Sequence, residues 1–359
     1  MKLLAIESSC DDTAAAVLVD GAVRSSIVAS QDDIHRDYGG VVPELASRNH
    51  VRVITPTIER ALADAGIGIA DLDAVAATYA PGLVGSLLVG LSAAKAIAYA
   101  RDLPFLGVNH LEGHLLSVQL DRPVEFPYVA LLVSGGHTSL YLARALGDYA
   151  LLGQTRDDAA GEAFDKVAKL LGIDYPGGRA LDQLARAGDA QAIRFPRARL
   201  KSKRGARPRF DFSFSGIKTA VALHVREHGG AARADIAASF QEAVIDMLLD
   251  TAFAATAAAG APRLVIAGGV SANSRLRARA AATGADAGIE VVIPSLRYCT
   301  DNAAMIGLAA HYRLARGERD DLTLNAAAVA DLAASRPPVK TPPFEKGGQG
   351  GISPQDAPR

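Results

Sequence analysis

The chain has 359 residues, 49% of them hydrophobic and 5% aromatic, with no Trp and a net charge of −1. Such a length exceeds one compact core and predicts two lobes packed from Ala, Val, Leu and Ile; near-neutrality excludes a global field that would gather nucleic acid, so any such contact must be a local patch. Two cysteines, Cys10 and Cys299, without a C-x-x-C pair fit a reducing cytosol, no secretory pattern opens the sequence, and Leu83–Ala100 is too interrupted to span a bilayer. A cytoplasmic protein without membrane contact is therefore expected.

Lys2–Ile6 and Thr13–Val19 read as strands joined by the polar turn Glu7-Ser-Ser-Cys-Asp-Asp12, and Ala22–Ala29 as a third strand. Helical periodicity runs over Pro43–Gly66, Leu72–Thr78 is a strand, and a small-residue helix follows to Ala100. Pro104–Asn109 reads as a buried strand entering a helix over 110–119. Tyr128–Val133 and Thr138–Ala143 pair around Ser134-Gly135-Gly136-His137, with Leu151–Thr155 as a further strand. Helices are predicted at about 161–171, 215–228 and 231–259, then a strand at Arg263–Ile266, a helix from Asn273, a strand at Ile289–Ile293 and a helix over Asn302–Arg316. Strand, small-residue or acidic turn, strand occurs at both 2–19 and 128–143, which suggests an internal duplication. From Arg336 the chain turns rich in Pro and Gly without apolar period, and 336–359 reads as a disordered tail.

On a helix, His110 and His114 are about 400° apart and share a face, a spacing that can hold a divalent ion. Glu112 lies roughly 200° from His110 and points away, unlike the base of a His-Glu-x-x-His peptidase. Two capping or half-buried histidines are the plainer alternative. Asp301, opening the last helix, is the best third ligand, although an aspartate there is more commonly a helix cap. Two histidines and a carboxylate with open positions suit Fe²⁺ or Zn²⁺.

Three turns could face an anion with backbone N–H groups: Ser8–Asp12, where Asp11 and Asp12 could orient a metal or water; Ser134–Thr138; and Ala267–Asn273. None is a Walker A or G-x-G-x-x-G loop, yet together they suggest a nucleotide held between two lobes. Glu162 and Asp165 can line one side of their helix, and Tyr175-Pro-Gly-Gly178 is a turn with Asp182 four residues on. Arg194 to Arg209 carries eight basic residues and no acid, with Phe195, Phe210, Phe212 and Phe214 in or beside it. This is the segment suited to a polyanion, a solvated loop being the alternative.

Ile6-Glu-Ser-Ser-Cys-Asp-Asp-Thr13, His110-x-x-x-His114, Val133-Ser-Gly-Gly-His-Thr138, Gly161-Glu-Ala-Phe-Asp-Lys166, Tyr175-Pro-Gly-Gly178, Asp211-Phe-Ser-Phe-Ser-Gly216, Gly268-Gly-Val-Ser-Ala-Asn273 and Thr300-Asp-Asn302 resemble the TsaD family, the bacterial tRNA adenosine N6-threonylcarbamoyltransferases, over about residues 1 to 335. The resemblance implies an α/β, two-lobed actin/Hsp70/sugar-kinase (ASKHA) fold of duplicated RNase-H-like domains, with 1–109 completed by 301–335 as one lobe and 110–300 as the other. It implies transfer of threonylcarbamoyl from threonylcarbamoyl-AMP to N6 of adenosine 37 in ANN-reading tRNAs. It also implies one divalent metal, Fe²⁺ favoured over Zn²⁺, on His110, His114 and Asp301. Contacts to the adenylate or adenine nucleotide are implied for Val133, Ser134, Gly135, Gly136, His137, Asp165, Gly178, Asp182 and Asn273. Asp11 is the candidate base, and Arg197, Arg199, Lys201, Lys203 and Arg204 the candidate tRNA contacts. TsaB, TsaE and the adenylate-forming synthase are the implied partners. Arg179 stands where the family usually has Pro, which predicts a looser turn. The competing reading is a related metal-dependent carbamoyltransferase with a non-tRNA acceptor, which would have no use for the basic segment.

Overall fold

The computed structural model describes residues 1–198, 200, 210–228 and 232–334. The first half runs β1 (Lys2–Glu7), β2 (Thr13–Val19), β3 (Ala22–Ala29), α1 (Asp32–Arg36), α2 (Pro43–Asp64), β4 (Ala74–Ala80), α3 (Val84–Arg101), β5 (Phe105–Asn109) and α4 (His110–Leu116). The second runs β6 (Tyr128–Val133), β7 (Thr138–Ala145), β8 (Asp148–Gln154), α5 (Ala160–Leu170), α6 (Gly178–Ala185), α7 (Ser215–His228), α8 (Arg233–Ala259), β9 (Arg263–Ala267), α9 (Ser274–Ala287), β10 (Glu290–Val292) and α10 (Ala303–Ala315).

These strands form two five-stranded sheets, β3-β2-β1-β4-β5 and β10-β9-β6-β7-β8. Numbered from its own first strand, each has the order 3-2-1-4-5: an antiparallel meander of three strands, then two parallel ones. The expected duplication is thus a duplication of sheets. Central strands such as Lys2–Glu7 are apolar on both faces because both faces are covered. Leu4, Ile6, Ala15 and Val17 pack under α2 and α3, while Leu3, Ala5, Ala14 and Ala16 share a core with α10. In the second sheet Val129, Leu131 and Val133 pack with α5 and α8, and Tyr128, Ala130 and Leu132 join the same core as α4 and α10. Those two helices therefore lie between the sheets.

Two local features set that central layer. Asn109 ends β5 and caps α4 at once, its Oδ1 accepting from Leu111 N at 2.9 Å, so no loop separates strand from helix. Glycines let the helices approach closely. A Cβ on Gly113 of α4 would stand 2.9 Å from Ile306 Cδ1 and 3.0 Å from Met305 Cγ, and one on Gly307 would stand 3.1 Å from Ala5 Cβ and 2.3 Å from Leu18 Cδ1.

Several expected bounds shift. The 110–119 helix ends at Leu116 and tightens into a 3-10 turn over Ser117–Leu120; β8 begins at Asp148, since its register with β7 starts from Ala145. The helices α1 and α6 are both absent from the sequence expectation, being short and opened by polar or glycine residues. The looser turn expected at Arg179 is instead the first turn of α6, fixed by Gly177 N donating to Asp165 Oδ1 at 2.9 Å. Residues 336–359 lie outside the described residues. Among those described, no helix is long and apolar enough to cross a membrane.

Because Leu18 and Ala5 are fully buried, Gly307→Ala must displace packed atoms. We expect a loss of about 1–3 kcal/mol in the free energy of unfolding, read by denaturant titration.

Candidate metal centre and nucleotide cleft

His110 is placed by the direct strand-to-helix transition at Asn109, and His114 follows one turn later; their rings stand edge to face with centroids 4.7 Å apart. Asp301 reaches them from the start of α10. The cap of α10 is Asn302, whose Oδ1 accepts from Met305 N at 2.9 Å, so Asp301 is not spent on capping. Its Oδ1 lies 3.0 Å from His114 Nε2 and 3.6 Å from His110 Nε2. The donor atoms of these three residues all fall within 4.8 Å of one another. Ligands at about 2.0–2.2 Å around a tetrahedral ion are roughly 3.3–3.6 Å apart, so the donor set fits a divalent metal.

The reading of Glu7 as no more than the start of a turn missed its role. Fully buried at the end of β1, it sits with Oε2 3.0 Å from His110 Nδ1, and the same Nδ1 is 3.1 Å from Ser9 Oγ. A carboxylate at Nδ1 holds a proton there and turns Nε2 toward Asp301, so that Nε2 would be the ligand atom were a metal bound, the usual arrangement behind a metal-bound histidine. Glu7 in turn accepts from Thr78 Oγ1 at 2.6 Å and Ser9 N at 2.5 Å. Burial would push the Glu7 carboxyl up, but the His110 imidazole beside it holds it below the usual range. Burial likewise works against a charged His110, yet Asp301 and Glu7 outweigh it and raise its pKa to about 9. The carboxylates of Glu7 and Asp301 thus favour positive charge on His110, charge that a bound cation would supply instead. An acid closing the otherwise apolar run Leu3–Ile6, at the carboxyl end of a parallel pair, was the available signal.

His137 comes in from the β6–β7 turn, its ring centroid 6.5 Å from that of His110. Burial, then the neighbouring His110 and His114, lower its pKa to about 4, so it is neutral near pH 7. The turn is closed by Ser134 N donating to His137 O at 2.8 Å and His137 N to Ser134 Oγ at 3.1 Å. Gly135 and Gly136 are exposed, with nothing within 4 Å of a Cβ on either. Gly161 and Gly268 press on the back of this turn: a Cβ on Gly161 would meet Ser134 O at 2.6 Å, and one on Gly268, at φ +94°, would meet Val133 O at 2.4 Å. Val133 itself is buried in β6, so only its backbone is at the turn.

The first turn, Ser8–Asp12, closes the opposite side. His50 pins it, with Nδ1 2.6 Å from Thr13 Oγ1 and Nε2 2.9 Å from Cys10 O. Burial and the field of Asp301 raise the Asp11 carboxyl; burial, Asp301 and Asp11 raise Asp12 to about 7. Asp165 is raised by burial, although Gly177 and Gly178 hydrogen-bond it, and Tyr175 feels Asp11 and Asp165.

Other expected site residues are held by internal partners. Asp182 accepts from Ser274 Oγ at 2.9 Å, and Asn273 caps α9 through Leu276 N while donating to Gln241 Oε1 at 2.7 Å. These bonds lock the Gly268–Asn273 turn to α6 and α8. Gly178 stands open, with nothing within 4 Å of a Cβ. Glu162 and Asp165 do not act together: Glu162 pairs with Lys166 at 2.6 Å, away from the turn that Asp165 holds. Arg197 pairs with Asp246 at 2.9 Å, and Phe195, Phe212 and Phe214 are core residues. Arg199, Lys201, Lys203 and Arg204 lie outside the described residues. Two cavities, of about 560 and 200 Å³, are lined by none of the triad; the smaller lies behind α4.

Two five-stranded sheets of one topology, with a histidine–aspartate triad between them, define a protein of the two-sheet ASKHA fold class. The family model described as tRNA N6-adenosine threonylcarbamoyltransferase, TsaD, matches residues 22–308. A relative of that name from Anaeromyxobacter dehalogenans (strain 2CP-C) is 59% identical over 331 residues, 90% of this chain and 98% of the relative. Another, from Geobacter sp. (strain M21), is 54% identical over 336 residues, 92% of this chain and 97% of the relative. The chain belongs to the TsaD family. Among solved structures, full-length HypF in its phosphate- and nucleotide-bound form has a TM-score of 0.60 at 15% identity, covering 87% of this chain and 55% of HypF. The activator of the 2-hydroxyisocaproyl-CoA dehydratase from Clostridium difficile, with bound ADPNP, has a TM-score of 0.52 at 14% identity, covering 88% and 97%. At these identities the likeness is one of fold.

An aspartate with a folded pKa of about 7, against about 3.9 unfolded, stabilises the fold most below pH 4 and loses that contribution as pH rises through 7. In metal-free protein, Asp12→Asn should therefore gain stability relative to wild type at about pH 8 compared with about pH 5, measured by urea unfolding. An equal difference at both pH values would count against the raised carboxyl.

Proposed function

We propose that the protein transfers a threonylcarbamoyl group from threonylcarbamoyl-AMP to N6 of the adenosine beside the anticodon of ANN-reading tRNAs, releasing AMP. The observation that carries this reading is the triad of His110, His114 and Asp301 set against the Ser134–His137 turn, in a chain whose relatives bear that activity in their names.

The N6 amine is a weak nucleophile because its lone pair is delocalised into the purine. The acyl donor must be activated, and a carbamic–phosphoric anhydride is. N6 attacks the carbamoyl carbon, the bond from that carbon to the phosphate oxygen breaks, AMP departs with the electron pair, and N6 loses a proton. A metal at the triad supplies Lewis-acid stabilisation of charge developing on oxygen. Of the ions that two imidazoles and one carboxylate admit, we favour Fe²⁺ over Zn²⁺.

The remaining roles fall to this chain's own groups. Backbone at Val133–His137 faces the phosphate, with Gly135 and Gly136 leaving room for close approach. Asp165, Gly178, Asp182 and Asn273 shape the nucleotide's seat, the three polar ones by holding their turns. His137, neutral near pH 7, can donate or accept a hydrogen bond without adding charge. Asp11, raised by burial, is our candidate for receiving the N6 proton. Arg197, Arg199, Lys201, Lys203 and Arg204 are assigned to the tRNA backbone; since Arg197 is already paired with Asp246, the other four carry that role. TsaB, TsaE and the adenylate-forming synthase are the proposed partners, in the cytoplasm. The lobes we assign are 1–109 with 301–335, and 110–300.

The test is reconstitution with these partners, threonine, bicarbonate, ATP and an ANN-reading tRNA, followed by nucleoside mass spectrometry. We expect a threonylcarbamoyladenosine peak that needs this chain, that chelation removes and added metal restores, and that His110→Ala abolishes while the fold stays intact. Full transfer by His110→Ala with no metal bound would sink the triad's role. Replacing Lys201 and Lys203 by Gln should flatten the slope of log affinity for tRNA against log salt by roughly 1.4–1.8, two phosphate contacts' worth.

A further inference from the structure

Glu112 is the acid of α4 that the proposed reaction leaves unused, and it faces away from the triad. It is nonetheless buried, at 3% exposure. Oε1 accepts from Tyr149 OH at 3.1 Å, and Oε2 accepts from Arg313 Nη1 at 3.4 Å. Arg313 Nε in turn donates to Glu318 Oε2 at 2.7 Å. A buried ion pair of this kind gives little net stability over an apolar pair of similar volume, so stability is a poor reason for a carboxylate here.

Its partners give a better one. Tyr149 belongs to β8 of the second sheet, and Arg313 belongs to α10, the helix that presents Asp301 from its other end. The helices α4 and α10 therefore meet at three points. In front, His114 Nε2 stands 3.0 Å from Asp301 Oδ1. Gly113 packs on Met305 and Ile306 in the middle. Glu112 is tied to Arg313 behind. The third contact resists rolling of α4 about its own axis. A roll of about 10° would carry a histidine Nε2, several ångströms off the axis, by about 1 Å. Metal sites hold their ligand distances to about 0.2 Å. Packing holds the middle of α4 but is incomplete behind it, where a cavity of about 200 Å³ is lined in part by Glu112, Tyr149, Arg313 and Leu332.

We infer that Glu112 is a positioning residue for the triad: its carboxylate bolts the back of α4 to α10 and β8, and so fixes where His110 and His114 stand relative to Asp301. This rests on the reading of those three residues as metal ligands.

The experiment is metal affinity of the full chain, for Zn²⁺ and, without oxygen, for Fe²⁺, by competition with a chromophoric chelator. Thermal midpoints of the metal-free proteins are recorded alongside. Glu112→Ala should bind metal about 10–100-fold more weakly than wild type. Glu112→Gln, which keeps the shape and can still accept from Tyr149, should recover part of that loss. Leu249→Ala, a core truncation in α8, should lower the midpoint yet leave affinity within about twofold, which separates positioning from general destabilisation. A folded Glu112→Ala that binds as tightly as wild type overturns the inference, as does a lowered midpoint with unchanged affinity. Should Glu112→Ala fail to fold, Tyr149→Phe, which deletes one hydroxyl, carries the test: at least about a threefold loss is expected, and unchanged affinity overturns the inference. Wild type that binds neither ion would overturn the triad itself, and this inference with it.

Discussion

The close packing of α4 on α10, between two sheets, is the constraint on which the rest of the molecule depends. Each helix delivers part of the triad, and neither could do so from a looser seat. Gly113 and Gly307 remove side chains where Met305, Ile306, Ala5 and Leu18 must come near. The low aromatic content belongs to the same design, because Ala-rich strands such as Thr13–Val19 let a helix lie close to its sheet. Density here is positional information: a packed interior has few alternative arrangements, so three side chains from distant parts of the sequence keep one geometry.

The turns around the triad present mostly backbone, with side chains serving to hold the backbone still. Asp165, Asp182 and Asn273 are spent on neighbouring N–H and hydroxyl groups, and the glycines are left facing open space. Such a surface accepts an anion without charge of its own. The charge is gathered instead at the triad, where Glu7 lies 3.0 Å from His110 and Asp301 lies 3.6 Å from His110 and 3.0 Å from His114. In the proposed reaction, phosphate binding and chemistry at an acyl carbon would thereby fall to different materials of the same site.

Much of this was legible in the sequence. Strand periodicity gave β2 and β3 at their observed bounds, the repeated strand–turn–strand pointed to two like sheets, and the four-residue step at 110 and 114 placed two imidazoles on one face. What escaped had physical reasons. Glu7 acts through register across three strands, which no local window contains. Glu112 could be read only as pointing away from a metal; that it points at something, Tyr149 and Arg313, requires the packing of β8 and α10. Composition placed Phe195, Phe212 and Phe214 beside the basic segment but could not distinguish an exposed ring from a core one, and all three are buried. The short helices α1 and α6 carry too few residues for periodicity to register.

The place of α10 in chain order has a consequence for biosynthesis. All ten strands of the described residues precede it, so both sheets emerge from the ribosome before the helix that covers Leu3, Ala5 and Leu18. Asp301 arrives with that helix. During translation the histidine pair exists first without its third donor, and a chain interrupted before α10 carries an open apolar face that quality control can recognise. The docking of α10 on both sheets and the meeting of Asp301 with His110 and His114 are therefore one event.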